Sequence, residues 1–267
     1  MNLLKKVAVA LVCLLPLGLQ AAKVDTLQVK SPSMNKSIEV VVVSPDVAAT
    51  KACPVIYLLH GYGGNARTWV GIKPDLSKIA DEKGIFFVCP DGKNTWYWDS
   101  PLNADVRYET FISDELVKYV DSHYKTVADR KGRAITGLSM GGHGAMWNGL
   151  RLCDVFSAAG STSGGVDIRP FPKNWEMRVQ IGEKAKYPEN WEKYTVINLV
   201  PTLRKDQIAL IFDCGDSDFF LEVNKNYHEA LLKQGIDHDF ITRPGNHDSQ
   251  YWNNSIDYQI RFFWKHF

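Results

Sequence analysis

Apolar positions along this chain follow two different rhythms. Residues 24–29 and 38–43 are β-branched runs separated by Ser31-Pro32-Ser33 and closed by Ser44-Pro45-Asp46, the composition of strands bounded by turns. They predict an antiparallel N-terminal lead-in. From Pro54 onward the runs become short and almost wholly apolar, at 55–59, 85–88, 134–138, 156–160, 208–212 and 239–242, with helical patterns fitting between them at 74–83, 105–124, 140–152, 219–234 and 248–266. In the 105–124 segment, Tyr108, Ile112, Leu116, Tyr119/Val120 and Tyr124 recur at helical spacing and form a buried stripe. Strands apolar on both faces and alternating with helices require a mostly parallel central sheet covered on both sides, so the fold class is α/β. Residues 162–206 break the rhythm, with Pro170, Pro172, Pro188 and Pro201 set among Trp175, Tyr187 and Trp191. That stretch is expected as a cap-like insertion over the carboxyl edge of the sheet, leaving 23–267 as a single domain.

The first 22 residues follow another logic. Lys5 and Lys6 form a basic start, Val7 to Leu19 an apolar stretch, and Leu19-Gln20-Ala21-Ala22 a small-residue exit, the pattern of a cleaved export signal. The apolar run is too short to remain as a membrane anchor. The expected protein is therefore exported, periplasmic or extracellular, with Cys13 removed by cleavage. Without Lys5 and Lys6, the 31 basic side chains fall to 29 against 30 acidic ones, a balance that steers toward neither nucleic acid nor an anionic membrane. With 45% apolar residues in 267, the chain can fill a large core. Cys53, Cys89, Cys153 and Cys214 sit in apolar sequence without C-x-x-C or metal-ligand spacing, and read as buried thiols.

Gly137, Gly141, Gly142 and Gly144 crowd around Ser139 in AITGLSMGGHGAMWNGL, residues 134–150. Gly137-Leu138-Ser139-Met140-Gly141 has the form G-x-S-x-G between an apolar strand and a helix, where a serine hydroxyl is raised above the sheet on a cramped turn. The helix that follows directs its amino terminus at the same spot, favouring negative charge there. Close strand–helix packing with Ser139 as a helix cap would use the same glycines, but the strand-turn-helix setting favours a nucleophile.

A serine hydroxyl needs a base, and the base an orienting acid. In a doubly wound hydrolase both follow the serine, on loops after later strands. The loop 243–248, Arg-Pro-Gly-Asn-His-Asp, holds His247, the expected base; His143, one helical turn beyond Ser139, is expected beside the nucleophile. The loop after 208–212 offers Asp213, Asp216 and Asp218, which spacing does not separate. Oxyanion donors are expected from the backbone N–H of Met140 and, in the Gly-rich stretch after 55–59, that of Tyr62. This chemistry calls for no cofactor and no metal.

Six stretches in this order resemble the esterase D-like branch of the α/β-hydrolases: YLLHGYGGN (57–65), PDGKNTWYWDSP (90–101), YETFISDELVKYVDSHY (108–124), GLSMGGHGA (137–145), DCGDSDFF (213–220) and RPGNHDSQYW (243–252). That branch includes S-formylglutathione hydrolases, feruloyl and acetyl-xylan esterases, tributyrin esterases and mycolyltransferases. The resemblance implies an α/β-hydrolase fold and a carboxylesterase using an acyl-serine intermediate. It places the nucleophile on Ser139 and the base on His247, and its CG-x-x-D loop selects Asp218 as the acid. Tyr62 and Met140 fall where similar enzymes place their oxyanion amides. SMGGHGA looks like the formylglutathione hydrolases, whereas HGYGG and DGKNTWYWDSP look like the secreted esterases.

The export signal favours the secreted group, with a small-molecule or glycan-linked ester as partner. Trp96 and Trp98, in the loop after 85–88, are expected as aromatic substrate-binding faces for a sugar ring or aryl acid, with His60 beside them. The same rings would serve equally as packing in the roof. Two other readings compete: an acyltransferase or thioesterase with the same residues, and a glycan-binding hydrolase-fold protein, whose signature would be a missing member of the triad. None is lacking.

Overall fold

The computed structural model describes residues 22–267. The expected export signal, 1–22, lies outside the described residues apart from Ala22. β1 (Lys23–Ser31) and β2 (Lys36–Ser44) form the antiparallel lead-in, and β2 runs antiparallel to the next strand of the sheet. There follow β3 (Val55–Leu59), α1 (Thr68–Ile72), α2 (Leu76–Lys83), β4 (Phe86–Pro90), α3 (108–123), β5 (Arg133–Gly137), α4 (Met140–Arg151) and β6 (Ala158–Thr162). The long segment after β6 carries α5 (Met177–Ile181) and α6 (Pro188–Lys193), and leads to β7 (Ala209–Gly215), α7 (Leu221–Gln234), β8 (Asp239–Arg243) and α8 (Ser249–His266). Eight strands form one sheet in the order β1-β2-β4-β3-β5-β6-β7-β8, parallel from β4 onward. This is the mostly parallel α/β sheet that the sequence pattern predicts, in the α/β-hydrolase architecture that the family resemblance implies.

Alternating side chains explain why the strand runs are apolar throughout. Val55, Tyr57 and Leu59 face one buried layer, beneath α3, α4 and α7, while Ile56 and Leu58 face the other, beneath α2 and α8. Burying both faces of every central strand leaves no polar alternation to read. Within α3, Phe111–Glu115 forms a π turn, so the stripe of Tyr108, Ile112, Leu116 and Val120 stays buried while Tyr119 and Tyr124 are only partly covered. Cys53, Cys89, Cys153 and Cys214 are free thiols.

Chain order places the site. After β3 the chain steps out to β4, then returns to lay β5 on the other side of β3, so the loops leaving β3 and β5 diverge at a topological switch point. Pairing of Leu59 with Gly137, Thr162 with Asp213 and Gly215 with Arg243 brings the carboxyl ends of β3, β5, β6, β7 and β8 to one edge. The 163–208 segment leaves that edge and is held to the 94–103 loop, with Ser100 Oγ donating to the Gln180 carbonyl at 2.6 Å and Tyr194 Oη to that of Asp99 at 3.0 Å.

Candidate active site

Ser139 stands between β5 and α4 with φ 55° and ψ −116°, a conformation that costs a non-glycine residue roughly 1–3 kcal/mol. Its neighbours make that turn possible. A Cβ on Gly137 would lie 2.5 Å from the Gly141 backbone, and one on Gly141 would lie 2.2 Å from the Leu59 carbonyl oxygen. The turn is tied down by the Ser139 N–H, which donates to Thr162 O at 3.0 Å.

Residues from three separate loops converge on the hydroxyl. Ser139 Oγ lies 2.9 Å from His247 Nε2, and His247 Nδ1 lies 2.8 Å from Asp218 Oδ2. A carboxylate only accepts, so Nδ1 carries the proton and Nε2 is free to accept the serine hydroxyl. Asp218 also accepts the Phe220 N–H through Oδ1 at 2.8 Å, which fixes its rotamer. The side chain of Asp218 is fully covered, whereas His247 keeps 16% of its surface open.

The three aspartates that spacing left equivalent have different surroundings. Asp213 still belongs to β7 and is buried beneath the site, accepting Ser255 Oγ, Gln259 Nε2 and Thr162 Oγ1. Burial pushes its carboxyl above the ordinary range, against the pull of those donors and of Arg243. Asp216 is exposed and faces Gly245. Only Asp218 meets the imidazole.

His143 also lies close in sequence but is not available as a base. It is fully buried, its Nδ1–H donates to Gly165 O at 2.9 Å, and its Nε2 accepts the Trp98 indole N–H at 2.9 Å. Burial lowers its pKa to about 4, so it stays neutral at pH 7.

Among the described residues the backbone N–H groups of Tyr62 and Met140 have no hydrogen-bond partner, while the adjacent Gly141 N–H is already bound to Leu138 O. Met140 is the first residue of α4, where amides point outward from the helix. Gly61 lets the two loops meet, since a Cβ there would lie 2.6 Å from Leu138 Cδ1.

The structure corrects the placement of Trp96, Trp98 and His60 as substrate-binding faces. Trp96 and Trp98 are 1% and 0% exposed, stacked on each other and edge-on to His143. His60 is equally buried: Nδ1–H donates to Gly61 O at 2.7 Å and Nε2 accepts the Gly92 N–H at 2.9 Å. Together with Asn94, which accepts the Gly63 N–H at 2.8 Å, and Tyr97, whose hydroxyl donates to His60 O at 3.0 Å, these residues brace the 60–64 loop from behind. Trp96 and Tyr97 hold φ of 58° and 60°, conformations that bulky side chains rarely adopt. Tyr97 fits only because Gly92 and Gly144 leave room, a Cβ on either being within 2.4 Å of its ring.

The open aromatic face nearest His247 is that of Phe219, which no feature of the sequence singled out. Phe219 is 52% exposed, lies 4.3 Å from the His247 ring, and stacks on Trp175 of the 163–208 segment at 5.6 Å. Glu176 accepts the Tyr62 hydroxyl at 2.9 Å across 114 residues of sequence. No local signal marks such a contact, although an aromatic residue directly after the acid invites attention. Among the described residues no three His, Cys, Asp or Glu side chains are arranged to hold a metal ion, and no helix is long and apolar enough to cross a membrane.

A strained serine on a strand-to-helix turn at the switch point of this sheet is the arrangement of an ester-hydrolysing enzyme of the α/β-hydrolase kind. The chain belongs to the Esterase family, described as "Putative esterase", whose model matches residues 31–263. It is 26% identical over 219 residues to the acetyl esterase of Caldicellulosiruptor saccharolyticus, a match spanning 75% of this chain and 79% of that protein. An esterase of Mycobacterium tuberculosis is 26% identical over 250 residues, covering 82% of this chain but only 54% of that longer protein. The S-formylglutathione hydrolase of Rattus norvegicus is 24% identical over 78% of this chain and 87% of that protein. Among solved structures, a ferulic acid esterase superimposes with a TM-score of 0.78 at 28% identity, covering 93% of this chain and all of that one.

Proposed function

We propose that the chain is an exported serine carboxylesterase in which Ser139 is the nucleophile, His247 the general base and acid, and Asp218 the carboxylate that orients it. The 2.9 Å approach of Ser139 Oγ to His247 Nε2 carries this reading. Oγ attacks the ester carbonyl carbon as its proton passes to Nε2, and the carbonyl oxygen becomes an oxyanion held by the Tyr62 and Met140 amides. Collapse of that intermediate breaks the bond to the alcohol oxygen, which takes the proton from His247. Water, deprotonated by the same Nε2, then attacks the acyl-serine carbonyl, releases the acid and returns the proton to Oγ.

The proposed substrates are short acyl, acetyl or feruloyl esters, including those carried by plant glycans. Similarity to an acetyl esterase and to a ferulic acid esterase supports this choice. Hydrolysis of p-nitrophenyl acetate by native protein and by Ser139→Ala tests the mechanism: loss of about a thousandfold or more supports it, and equal rates contradict it.

A second reading keeps the same residues and changes the substrate. The SMGGHGA stretch and the rat S-formylglutathione hydrolase relative favour a thioesterase. A panel of methyl ferulate, acetylated xylan, tributyrin and S-formylglutathione separates the two by preference. Product analysis with and without a carbohydrate acceptor tests acyl transfer of the mycolyltransferase type.

A further inference from the structure

β1 begins at Lys23, which pairs with Ser44 of β2, so the sheet fixes the place of the residue before it. Ala22 is 8% exposed and belongs to the same apolar layer as Val43 and Ala80. Its backbone nitrogen donates to Asp81 Oδ2 at 2.8 Å, and the other oxygen of that carboxylate accepts the Asp46 N–H at 2.9 Å.

Asp81 stands in an unfavourable electrostatic setting. It lies in the last turn of α2, where the negative end of a helix disfavours a carboxylate. Asp46 adds a second acidic group, whose carboxyl is raised above the ordinary range by desolvation and then by the Asp81 charge. No Lys, Arg or His side chain among the described residues forms an ion pair with Asp81, and the cations nearest in the chain are engaged elsewhere. Lys23 Nζ lies 2.9 Å from Asp25, Lys78 Nζ 3.6 Å from Glu82, and Lys83 Nζ 4.9 Å from the centre of the Trp264 ring. The carboxylate therefore has two hydrogen bonds and no countercharge.

The charge on the Ala22 nitrogen depends on covalent processing. In an uncut chain it is an amide N–H. Hydrolysis adds water across the Ala21–Ala22 bond: Ala21 keeps the new carboxylate, and the Ala22 nitrogen becomes an amine that takes up the released proton at neutral pH. That nitrogen, held by the start of β1, then brings a positive charge to within 2.8 Å of Asp81. A cut one residue later would delete the buried methyl group of Ala22 and remove the donor; a cut further upstream would leave the nitrogen an uncharged amide.

We propose that the chain is cut after Ala21 by an export-signal peptidase of the host, and that the Ala22 α-ammonium formed by the cut docks on Asp81 as an ion pair; this rests on the reading of the protein as exported. The cut falls one residue ahead of the 1–22 boundary expected from the sequence. Because the charge exists only after cleavage, the pair stabilises the processed protein and not its precursor. It clamps the start of β1, an edge strand of the sheet, to α2.

The cut is tested by expressing the full chain in a host with a secretory apparatus and reading the first residue of the exported product by intact mass and terminal sequencing. Ala22 in first place is expected; Lys23, or any residue before Ala22, would overturn the inference while leaving export standing. A chain that stays uncut in the cytoplasm would remove the exported reading as well. The ion pair is tested by thermal melts at neutral pH and low salt on protein that begins at Ala22 and on protein with Gly-Ser joined ahead of Ala22, which keeps the nitrogen an amide, each with Asp81 intact and as Asp81→Asn. Asp81→Asn should lower the melting temperature by about 2–4 °C in the first form and by less than half as much in the extended one. Equal shifts in both forms would overturn the pairing.

Discussion

His247 and Asp218, 29 residues apart in the chain, share a 2.8 Å hydrogen bond beneath the Ser139 hydroxyl. The carboxylate fixes which ring nitrogen carries the proton. Asp218→Asn removes the charge that stabilises the imidazolium and permits the wrong tautomer, so kcat should fall by about 10³–10⁴-fold with KM little changed. Asp216→Asn, at an exposed carboxylate facing Gly245, should change kcat by no more than about twofold. Steady-state kinetics of the two variants distinguish the partners, and comparable losses would remove Asp218 from its special place.

Gly141→Ala should be more damaging than its size suggests. The added methyl group would lie 2.2 Å from the Leu59 carbonyl oxygen, which belongs to a central strand and has little freedom to retreat. Overpacking of this kind typically costs about 1–3 kcal/mol. Urea denaturation should show a loss in that range, with activity falling further because the turn carrying Ser139 shifts. Unchanged stability and activity would contradict the packing described for the turn.

Stability should weaken in mild acid through His143. Burial, opposed by the hydrogen bond to Gly165, lowers this imidazole from 6.5 to about 4, so the unfolded chain takes up a proton that the native state refuses. The contribution is complete above pH 6.5, is lost as pH falls from there, and is gone below about pH 4; it amounts to about 3 kcal/mol. Urea titrations of native protein and His143→Asn at pH 7 and 4.5 check this, the variant showing the smaller acid-induced loss. An equal loss in both would exclude His143 as the source.

Asp213 should matter for stability. Asp213→Ala would leave Ser255, Gln259 and Thr162 without their acceptor and Arg243 without its neighbouring charge, in a fully buried place. Breaking a buried charged network costs about 3–5 kcal/mol. A drop in melting temperature of roughly 10 °C is expected for a chain of this size, and a drop under about 2 °C would contradict the structural role.

Local features were legible where local sterics decide. Each central strand lies within a few residues of its apolar run, because both faces are buried, and the glycines around Ser139 are required by backbone approaches within the turn itself. The choice among three aspartates was not local: β7 extends through Gly215 and keeps Asp213 in the sheet, so only the loop beyond can reach His247. Trp96 and Trp98 could not be placed from sequence, since what covers them is His143 from α4 and Trp175 and Tyr194 from the segment after β6. Helix α1 escaped notice because it spans five residues with Gly71 inside it. The contact of Glu176 with Tyr62 joins two segments that share no pattern at all.

The most direct measurement is covalent capture of the nucleophile. Native protein, Ser139→Ala and His247→Ala would be incubated with a fluorophosphonate probe, digested, and the modified peptide located by mass spectrometry. A single adduct on Ser139 in the native protein, absent from Ser139→Ala and formed far more slowly in His247→Ala, is the expected result. An adduct on another residue, or labelling of Ser139 that does not depend on His247, would contradict the assignment of these two side chains as nucleophile and base.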